Sequence, residues 1–556
     1  MQGKEKKKGS VIMRRKLLKR TLAALFAGIL VVGTLTGCGG KGAGGKNAGL
    51  SAGGEDVSYP VDTDIELSWY VQGNLGLQSS YLTADESPFH SGLQDKTGIS
   101  IDWQFPVEGA DGTASYNMLL QEEELPNIIS GYVFDATEAN ELMSAGLIVD
   151  LTDYVKKYAP DYWAYITDPA NEIDYKSLQT TDGKLWGFGA FMETDENITY
   201  LGPVIRKDWL EECGLSEPVT LKDWENVLVT FKQKYGAVFS FAQNRFNWAG
   251  ISSGTGAFAT LEAKYYVDDN GKVQLGNAQV EWKEMMETLH RWYDMNLIDR
   301  DFARNTDNDV RAKVLRNEVG VAVTAMSQMT AWIKDAEEQK TGAEWMGIEY
   351  PREAAGAPTK YIYTEAGKRS ANNAAVITAT SSEEEIIAAC KLLNYGFTED
   401  GILYWNYGQE GVSYEFDANG EPQFTQLVTE DPLGITEACI KYTGTHAAGI
   451  SIQQWSYSKS KFAPEAVEAV TKWVSNTVAK DYILPTTPKE SADAAKVTDY
   501  KSSIATYVNE MALKFVTGKE SLNDANWKKY LKQLESYGLS ELLKIEQKAY
   551  DAYMAE

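Results

Sequence analysis

Apolar and polar residues alternate in short blocks along most of the chain, and stretches with helical spacing separate these blocks. Residues 65–71 alternate as a half-buried strand does, residues 99–105 repeat the pattern, and residues 125–129 form a third apolar run. Residues 283–293 carry apolar side chains at the spacing of an amphipathic helix. Strands that alternate with helices predict a fold built from α/β layers. In open α/β sheets, ligands bind at the carboxyl ends of the strands.

Turn and capping signals add further elements. Thr220 and Asp223 have the spacing of a capping box, which predicts a helix that starts there. Residues 268–273 and 417–421 each contain Asn-Gly and are expected to form hairpin turns, because they lack the full ligand spacing of a calcium loop. Short extended pieces are expected at residues 146–152 and 182–188, and a strand that opens a second unit at residues 198–205. These signals concern local structure only.

The amino-terminal region has the pattern of an export signal. A basic run at residues 14–20 precedes an apolar stretch, residues 21–33, which is shorter than the ~20 residues that span a bilayer. Residues 35–38, Leu-Thr-Gly-Cys, resemble the bacterial lipobox, whose cysteine is lipidated and becomes the mature amino terminus. We therefore expect a lipoprotein signal peptide over residues 1–37, then a lipidated Cys38 and a Gly-rich tether over residues 38–57. A plain signal peptide with an incidental cysteine is the alternative.

Composition and charge narrow the function classes. The 556 residues are 43% hydrophobic and 24% charged, which suits two large lobes or about three compact units. Lys and Arg total 53 against 79 Asp and Glu, a net charge of −26, so nucleic-acid binding is not expected. Besides Cys38 the cysteines are Cys213, Cys390 and Cys439, with no C-x-x-C pair, which excludes a disulfide framework. Buried free thiols are favoured over a single bridge.

Catalytic motifs are scarce, whereas aromatic residues are abundant. His90, His290 and His446 lie far apart without an H-E-x-x-H motif, and G-x-S-x-G is absent, so neither a zinc site nor a hydrolase triad is expected. The many acids leave a carboxylate pair for glycoside hydrolysis open. The chain has 15 Trp, 31 Tyr and 17 Phe. Flat rings stack on sugar rings while amides and acids bind the hydroxyls, which is typical of an oligosaccharide site; the alternative is that each Trp packs in the core.

Short segments spread over the chain carry a family resemblance. In order, they are residues 125–129, 146–151, 182–187, 205–210 with 213–215, 292–293 through 297–299, 407–414, and 515–518 with 537–539. Together with the lipobox, they make the chain similar to the extracellular solute-binding proteins of carbohydrate ABC transporters, in the lipoprotein branch with enlarged chains. Asn127 departs from this pattern, where Asp is commoner, and so does Gln409, where an aliphatic residue is usual.

The resemblance implies a periplasmic-binding-protein-like type II fold, in which two α/β lobes joined by a hinge close on a ligand between them. It places the crossings near residues 190–197 and 370–373. The lobes it implies are residues 58–193 with 374–445 for the first, and residues 194–373 with 446–556 for the second. It implies a monomer without a cofactor that captures an oligosaccharide and delivers it to ABC permease subunits. It places the chain, lipid-anchored, on the extracellular face of a Gram-positive cell membrane.

The resemblance also indicates which residues face the cleft, and none of them is catalytic, because a transport receptor releases its ligand unchanged. The implied ligand-binding residues are Gln72, Asn74, Tyr132, Asp135, Glu193, Arg245, Phe246, Trp248, Gln328, Trp405, Tyr407 and Glu410. Trp248, with Arg245 beside it, is expected to form a stacking platform. Arg206, Lys207 and Asp208 match the family strongly but are interpreted as structural salt-bridging residues. A surface glycoside hydrolase and a receptor for peptides remain the alternative functions.

Overall fold

The computed structural model describes residues 55–72, 83–84, 86–106, 112–131, 135–243, 251–444 and 449–555. The strands are β1 Glu66–Val71, β2 Ser100–Gln104, β3 Ile128–Ser130, β4 Phe188–Met192, β5 Leu201–Arg206, β6 Val238–Ser240, β7 Tyr265–Val267, β8 Val273–Leu275, β9 Val319–Ala325, β10 Trp345–Gly347, β11 Arg369–Ile377, β12 Tyr414–Phe416, β13 Pro422–Phe424 and β14 Ile452–Gln453.

The helices outnumber the strands. They are α1 Pro88–Thr97, α2 Gly112–Leu119, α3 Ala136–Ser144, α4 Thr152–Tyr158, α5 Pro160–Ile166, α6 Glu172–Ser177, α7 Asp195–Ile198, α8 Lys207–Cys213, α9 Leu221–Tyr235, α10 Val280–Asp294, α11 Asp307–Leu315, α12 Met326–Glu338, α13 Glu383–Tyr395, α14 Glu399–Tyr407, α15 Gln426–Thr429, α16 Ile435–Tyr442, α17 Trp455–Lys459, α18 Pro464–Val474, α19 Ser491–Val516, α20 Asp524–Ser536 and α21 Leu539–Ala555. Short 3₁₀ helices span Pro169–Asn171, Ser252–Thr255, Gly276–Ala278 and Ala479–Tyr482.

The first sheet has six strands in the order β14-β4-β11-β3-β1-β2. Strand β1 is parallel to both β2 and β3, and β14 is parallel to β4, whereas β11 is antiparallel to its neighbours β3 and β4. Its strands and the helices around them bury one large apolar cluster that includes Trp69, Trp186 and Leu393. The predicted strands at residues 65–71, 99–105 and 125–129 are thus confirmed, with ends that differ by up to three residues.

The second sheet has four strands in the order β10-β5-β9-β6, and its two faces pack on different apolar clusters. Ile205 of β5 packs in the cluster that contains Phe231 of α9 and Val508 of α19. The next residue back, Val204, packs on the other face with Met329 of α12. Because neighbouring side chains of a strand point to opposite faces, β5 needs apolar residues at both positions. Helices thus cover both faces of the sheet, and the α/β layering that the sequence predicts is confirmed.

Three connections join the two sheets within the described residues. The chain passes from β4 to β5 through α7, from β10 to β11, and from β14 to α18, which packs on β5 and β10. Strand β11 begins at Arg369 and has an irregularity between Arg369 and Ala374, which falls in the expected hinge. Ile452 of β14 pairs with Phe191 of β4, so the first sheet continues past residue 445, where the resemblance ends the first lobe.

The capping box and the turns predicted from local sequence are present, whereas two of the predicted strands differ from the structure. The capping box of Thr220 and Asp223 is present, and both Asn-Gly segments connect the strands of hairpins, β7–β8 and β12–β13. Residues 146–152 form no strand and make only an isolated bridge from Ile148 to Thr378. The strand expected from residue 198 starts at Leu201, because Thr194 and Asn197 form a capping box that turns the preceding residues into α7.

The cysteines within the described residues are free. Cys390 and Cys439 are buried and Cys213 is half-buried, as the sequence favoured. The expected salt bridge at the end of β5 is also confirmed, because Arg206 donates from Nε to Asp208 over 2.8 Å and from a terminal nitrogen over 2.5 Å. The Arg206 side chain is buried and stacks on Trp209, so this group has a structural role.

Candidate ligand cleft

The carboxyl ends of several strands from the two sheets lie at the connections between the sheets. Strand β4 runs in the same direction as β3, because both are antiparallel to β11. The chain leaves this edge of the first sheet after Met192 and enters the second sheet at Leu201, which pairs with Ala325 at the carboxyl end of β9. The carboxyl ends of β4, β14 and β9 therefore lie next to the connections, where a ligand between two α/β units is expected.

A cavity of about 200 Å³ lies at this position. It is lined by Met192, Glu196, Asn197, Tyr200, Ala325, Met326, Ser327, Gln453, Trp455, Ser458, Lys461 and Phe462. We call it the hinge pocket. Its lining comes from the first connection, from the end of β9 with the start of α12, and from the third connection, so its walls belong to parts of the chain that are far apart in sequence.

Two aromatic side chains of the hinge pocket are accessible. Tyr200 is 41% exposed and Trp455 is half-buried. The ring of Tyr200 stands nearly perpendicular to that of Tyr363, with 4.9 Å between the ring centroids, and the Tyr363 hydroxyl donates to the Tyr200 hydroxyl over 2.9 Å. Since Tyr363 lies on the second connection, it fixes the Tyr200 ring from outside the pocket. An accessible ring with a fixed orientation suits stacking on a sugar.

Amide side chains tie the first and third connections together. Asn197 donates from Nδ2 to the Ser458 hydroxyl over 3.1 Å, and Gln453 donates from Nε2 to the same hydroxyl over 3.1 Å. Asn197 also accepts from the backbone N–H of Thr194 through Oδ1. These bonds hold the polar wall of the hinge pocket in place.

Lys461 is the cationic residue in the lining of the hinge pocket. Its Nζ atom lies 3.9 Å from the centroid of the Tyr457 ring, in a cation–π contact. Burial lowers the pKa of Lys461 to about 8, with a smaller opposing contribution from the Cys439 thiol. The side chain therefore remains mostly protonated at neutral pH. Within the part of the chain that the structure describes, no carboxylate lies within salt-bridge distance of Nζ.

A second cavity, of about 250 Å³, lies beside the same connections. It is lined by Asp195, Thr199, Ile362, Thr364, Val474, Thr477, Val478, Lys480 and Asp481. Lys480 binds Asp195 across it over 2.5 Å. Since its charged groups already pair with each other, this cavity offers a ligand less than the hinge pocket does.

Two of the expected ligand-binding residues are engaged inside the first unit. Gln72 is buried, accepts from the Tyr70 hydroxyl over 2.8 Å and donates to the carbonyl of Gly112 over 2.5 Å. Asp135 caps α3 by accepting from two backbone N–H groups over 2.8 Å each. Asp135 also interacts electrostatically with Arg369 and with Lys489, which belongs to the segment before α19. Its carboxylate therefore lies near the second unit.

Three other expected residues lie at accessible positions. Glu193 is exposed and accepts from the backbone N–H of Trp455 over 2.7 Å, which places it at the rim of the hinge pocket. Gln328 is half-buried in the first turn of α12, next to Ser327 of the pocket lining. Glu410 is exposed at the end of α14, where it forms a bridge with Tyr414. The structure thus brings Glu193 and Gln328 toward one pocket, although 135 positions separate them in the sequence.

Trp405 and Tyr407 are buried in the cores. Trp405 is 3% exposed and packs on Phe89 in the large cluster of the first sheet, with 4.9 Å between ring centroids. Tyr407 is fully buried in a small cluster with Tyr414 and Cys439. Packing against these neighbours accounts for both rings without a ligand. The remaining expected residues lie outside the described residues: Cys38, Asn74, Tyr132, Arg245, Phe246 and Trp248.

The sequence expectations missed Tyr200, Trp455 and Lys461. A signal was available for Trp455, because two glutamines precede it and give the same mixture of amide and aromatic residues that singled out residues 246–248. For Tyr200 the only signal is its position directly before the apolar strand β5. Lys461 carried none, since lysines on the surface and in a pocket look alike in sequence.

The described residues contain neither a candidate metal site nor a candidate membrane-spanning helix. Within those ranges, no group of three or more His, Cys, Asp or Glu side chains is arranged to hold a metal ion. None of the helices in the described part combines the length and the apolar character that a membrane crossing needs.

His90 is buried against Trp103, and burial lowers its pKa to about 3, so it is uncharged at neutral pH.

Comparison with known families agrees with this geometry. The model of the bacterial extracellular solute-binding proteins matches residues 82–402, more than half of the 556 residues. The chain belongs to this family. Like other solute-binding proteins, it has two α/β units with a cleft at the connections between them. A solute-binding protein associated with an ABC transporter for human milk oligosaccharides, from Bifidobacterium longum infantis, has the same fold: the TM-score is 0.70 at 18% identity, covering 88% of this chain and 99% of that one.

Two relatives by sequence cover most of this solute-binding protein. The fructooligosaccharide ABC transporter substrate-binding protein FusA of Streptococcus pneumoniae is 24% identical over 496 residues, which is 83% of this chain and 86% of the relative. The polygalacturonan/rhamnogalacturonan-binding protein YtcQ of Bacillus subtilis is 21% identical over 465 residues, covering 82% of this chain and 86% of the relative. Both relatives have names of binding proteins, not of enzymes.

Proposed function

We propose that this solute-binding protein captures an oligosaccharide between its two units and delivers it, as a monomer, to the permease subunits of an ABC importer. The observation that carries this proposal is the hinge pocket, where accessible rings of Tyr200 and Trp455 adjoin the amides of Asn197 and Gln453. Stacking rings beside hydroxyl-binding groups suit a sugar better than a peptide, which is recognised mainly by backbone hydrogen bonds. The names of the two relatives, both of which bind saccharides, support the same ligand class.

The proposed contacts extend from the hinge pocket along the facing edges of the two units. They comprise Asp135, Glu193 and Glu410 on the side of the first sheet, Gln328 and Ser327 on the side of the second, and the family-implied positions Asn74, Tyr132, Arg245, Phe246 and Trp248. No residue among them is assigned a catalytic role, and the ligand is released unchanged.

The test is calorimetric titration of the purified chain with defined oligosaccharides, including fructooligosaccharides of three to five units and neutral and acidic plant oligosaccharides. We expect saturable binding of at least one class, and chromatography after a day of incubation should recover that saccharide intact. Shorter products would favour the surface glycoside hydrolase instead. Binding of peptides without binding of any saccharide would overturn the proposal.

We also propose that the two units approach each other on binding. The connections near residues 193–200 and 348–368 and after β14 act as the hinge. Asp135 of the first unit is close enough to Lys489 to interact with it electrostatically. Small-angle scattering with a saturating saccharide should give a smaller radius of gyration than without it. An unchanged radius, with binding confirmed by calorimetry, would contradict closure once a preclosed free state is excluded.

Anchoring is a separate proposal that rests on the lipobox at residues 35–38. A diacylglyceryl group on Cys38 and an amide-linked acyl chain supply the two anchors that stable membrane attachment needs. In a Gram-positive host, the wild-type chain should partition with the membranes and Cys38→Ser should be released to the medium or remain unprocessed. Cys213→Ser is the control and should partition as wild type does. Equal membrane binding by the wild type and Cys38→Ser would argue against the anchor.

A further inference from the structure

The first connection forms a wall between the hinge pocket and the second cavity. Asp195 and Thr199 line the second cavity, and because they are four positions apart around α7 they share one face of that turn. Glu196, Asn197 and Tyr200 of the same segment line the hinge pocket instead. Among the described residues, the linings of the two cavities have no member in common. The second cavity is therefore a separate site and not an extension of the hinge pocket.

Thr199 brings a buried hydroxyl to the second cavity. The residue is 0% exposed, and within the described ranges its Oγ1 atom has no hydrogen-bond partner. Buried hydroxyls of folded proteins are nearly always hydrogen-bonded, since an unpaired one costs free energy. The cavity that Thr199 lines is the place where such a partner can lie. An occupant that forms hydrogen bonds is therefore favoured in this cavity.

The charges around the second cavity are already balanced. Lys480 binds Asp195 over 2.5 Å, and Asp481 is exposed, so water solvates its carboxylate. An anionic ligand would meet two carboxylates here, and a cationic ligand would compete with Lys480 for Asp195. A neutral ligand meets neither penalty, so the charge distribution favours a neutral occupant.

The remaining lining combines hydroxyl groups with apolar side chains. Thr364 and Thr477 carry hydroxyls, and Ile362, Val474 and Val478 are apolar. A sugar ring has the same mixture, because its C–H groups pack on aliphatic side chains while its hydroxyls form hydrogen bonds. The cavity volume of about 250 Å³ lies below the ~300 Å³ at which pockets for drug-sized ligands begin. One sugar ring therefore suits this cavity better than a chain of sugars does.

We propose that the second cavity binds one neutral monosaccharide, separate from the oligosaccharide of the proposed function, with a sugar hydroxyl bonded to Thr199. The cavity is lined by the first connection, by the second connection and by the segment that follows α18. A bound monosaccharide therefore stabilises the present arrangement of these segments. The hinge pocket belongs to the same arrangement, so each ligand raises the affinity for the other. Only this coupling rests on the proposed function, whereas the monosaccharide site does not.

The test is calorimetric titration of the full chain with glucose, galactose, mannose and fructose, and with the charged analogues glucosamine and glucuronate. We expect saturable binding of at least one neutral monosaccharide and at least tenfold weaker binding of both charged analogues. Thr199→Val keeps the shape of the side chain and removes its hydroxyl, so it should weaken monosaccharide binding at least fivefold. Thr471→Val is the matched control and should bind as the wild type does, because Thr471 is exposed on α18 and lies outside the cavity lining.

A second variant keeps the proposal testable if Thr199→Val does not fold. Val478 is half-buried in the lining, and Val478→Phe adds a ring that occupies part of the cavity. This variant should lose monosaccharide binding, and a thermal melt shows whether it is folded. Unchanged monosaccharide affinity in a folded Val478→Phe variant would count against the site.

Titration with both ligands measures the coupling. With the monosaccharide at saturation, the affinity of the wild type for its oligosaccharide should rise at least threefold, and the reciprocal titration should give the same factor. Thr199→Val should abolish this rise. An oligosaccharide affinity that the monosaccharide leaves unchanged would show that the coupling is wrong.

Each further outcome has a distinct meaning for the two proposals. If no neutral monosaccharide binds, the second cavity holds only water and the monosaccharide site is wrong, whatever the oligosaccharides do. If a monosaccharide competes with the oligosaccharide and Thr199→Val leaves its affinity unchanged, it binds in the hinge pocket, so the second site is wrong while the receptor stands. If a monosaccharide binds in a Thr199-dependent way but no oligosaccharide binds, the second site stands and the proposed function fails.

Discussion

The aromatic side chain that packs under the second sheet, Trp473 of α18, and the accessible ring of Tyr200 in the hinge pocket differ in burial. Trp473 is 1% exposed, lies against Gly202 where a side chain would collide with its ring, and donates from its indole N–H to the Pro203 carbonyl over 3.0 Å. Tyr200 directly precedes the strand that carries Gly202, yet it is 41% exposed and its hydroxyl accepts a hydrogen bond from another tyrosine. A core contact at Gly202 and an accessible ring at Tyr200 thus lie only two positions apart in the sequence.

His90 and Lys461 differ in charge in a comparable way. His90, packed among aromatic rings of the first unit, has a pKa lowered to about 3 and gives up its proton at neutral pH. Lys461 has a pKa lowered to about 8 and keeps its proton. Full burial in the core favours the uncharged form of His90, whereas Lys461, which is half-buried, keeps its charge.

The largest expected effect concerns the core ring. Trp473→Ala should lower the free energy of unfolding by about 3–5 kcal/mol. The substitution leaves a cavity beside Gly202 of β5, and a glycine has no side chain that could fill it. Trp455→Ala, which removes a half-buried ring of the hinge pocket, should cost no more than about 2 kcal/mol. Urea denaturation of both variants measures the difference. Equal losses would show that Trp455 is a core residue, and the contrast between core and pocket would disappear.

The second effect concerns pH. The folded pKa of His90, about 3, lies below the unfolded value of 6.5, so its contribution to stability is complete above pH 6.5 and is lost as the pH falls toward 3. At pH 5 the loss should be about 2 kcal/mol, from ~1.4 kcal/mol per pH unit. His90→Gln should flatten the stability profile between pH 6.5 and pH 5. A His90→Gln profile with the same slope as the wild type would contradict this account of His90.

The third effect concerns the pocket ring. Tyr200→Ala should weaken binding of the identified saccharide by about 1 kcal/mol, roughly fivefold, because it removes one stacking contact. Its effect on stability without ligand should be smaller than that of Trp473→Ala. Phe416→Ala is the matched control, since Phe416 is 43% exposed but lies on the β12–β13 hairpin away from the pocket. If calorimetry finds the same affinity for the saccharide in Tyr200→Ala and Phe416→Ala, Tyr200 does not contact the ligand.

The smallest effect separates two tyrosine hydroxyls. Tyr363→Phe removes the donor to the accessible Tyr200 hydroxyl, and it should lower affinity about twofold while leaving stability nearly unchanged. Tyr350→Phe removes the donor to the buried Leu201 carbonyl, a bond of 2.6 Å, and should instead lower the free energy of unfolding by about 1 kcal/mol or more. Thermal melts and titrations of both variants test this. A loss of stability in Tyr363→Phe together with a loss of affinity in Tyr350→Phe would show that the two hydroxyls have the opposite roles.

Elements with a local cause were predictable from the sequence. The alternation at residues 65–71, the capping box at Thr220 and the two Asn-Gly turns each depend on residues that are close in sequence, and each is present in the structure. The bidentate pairing of Arg206 with Asp208 was predictable for the same reason, because only one residue lies between them in the sequence. The order of strands in the first sheet was not predictable, since it depends on which apolar faces cover each other.

The α/β class, the turns and caps, and the family pattern that implies two units with a cleft all follow from the order of residues along the chain. The tertiary structure alone decided which side chains form the hinge pocket: Tyr200 precedes β5, Ser327 follows β9 and Lys461 follows β14, so only the pairing of strands brings them together. It also placed Trp405 and Tyr407 in the cores. The physical reason is that burial is set by neighbours from distant parts of the chain, whereas residue type and local spacing set only what a side chain can do once it is placed.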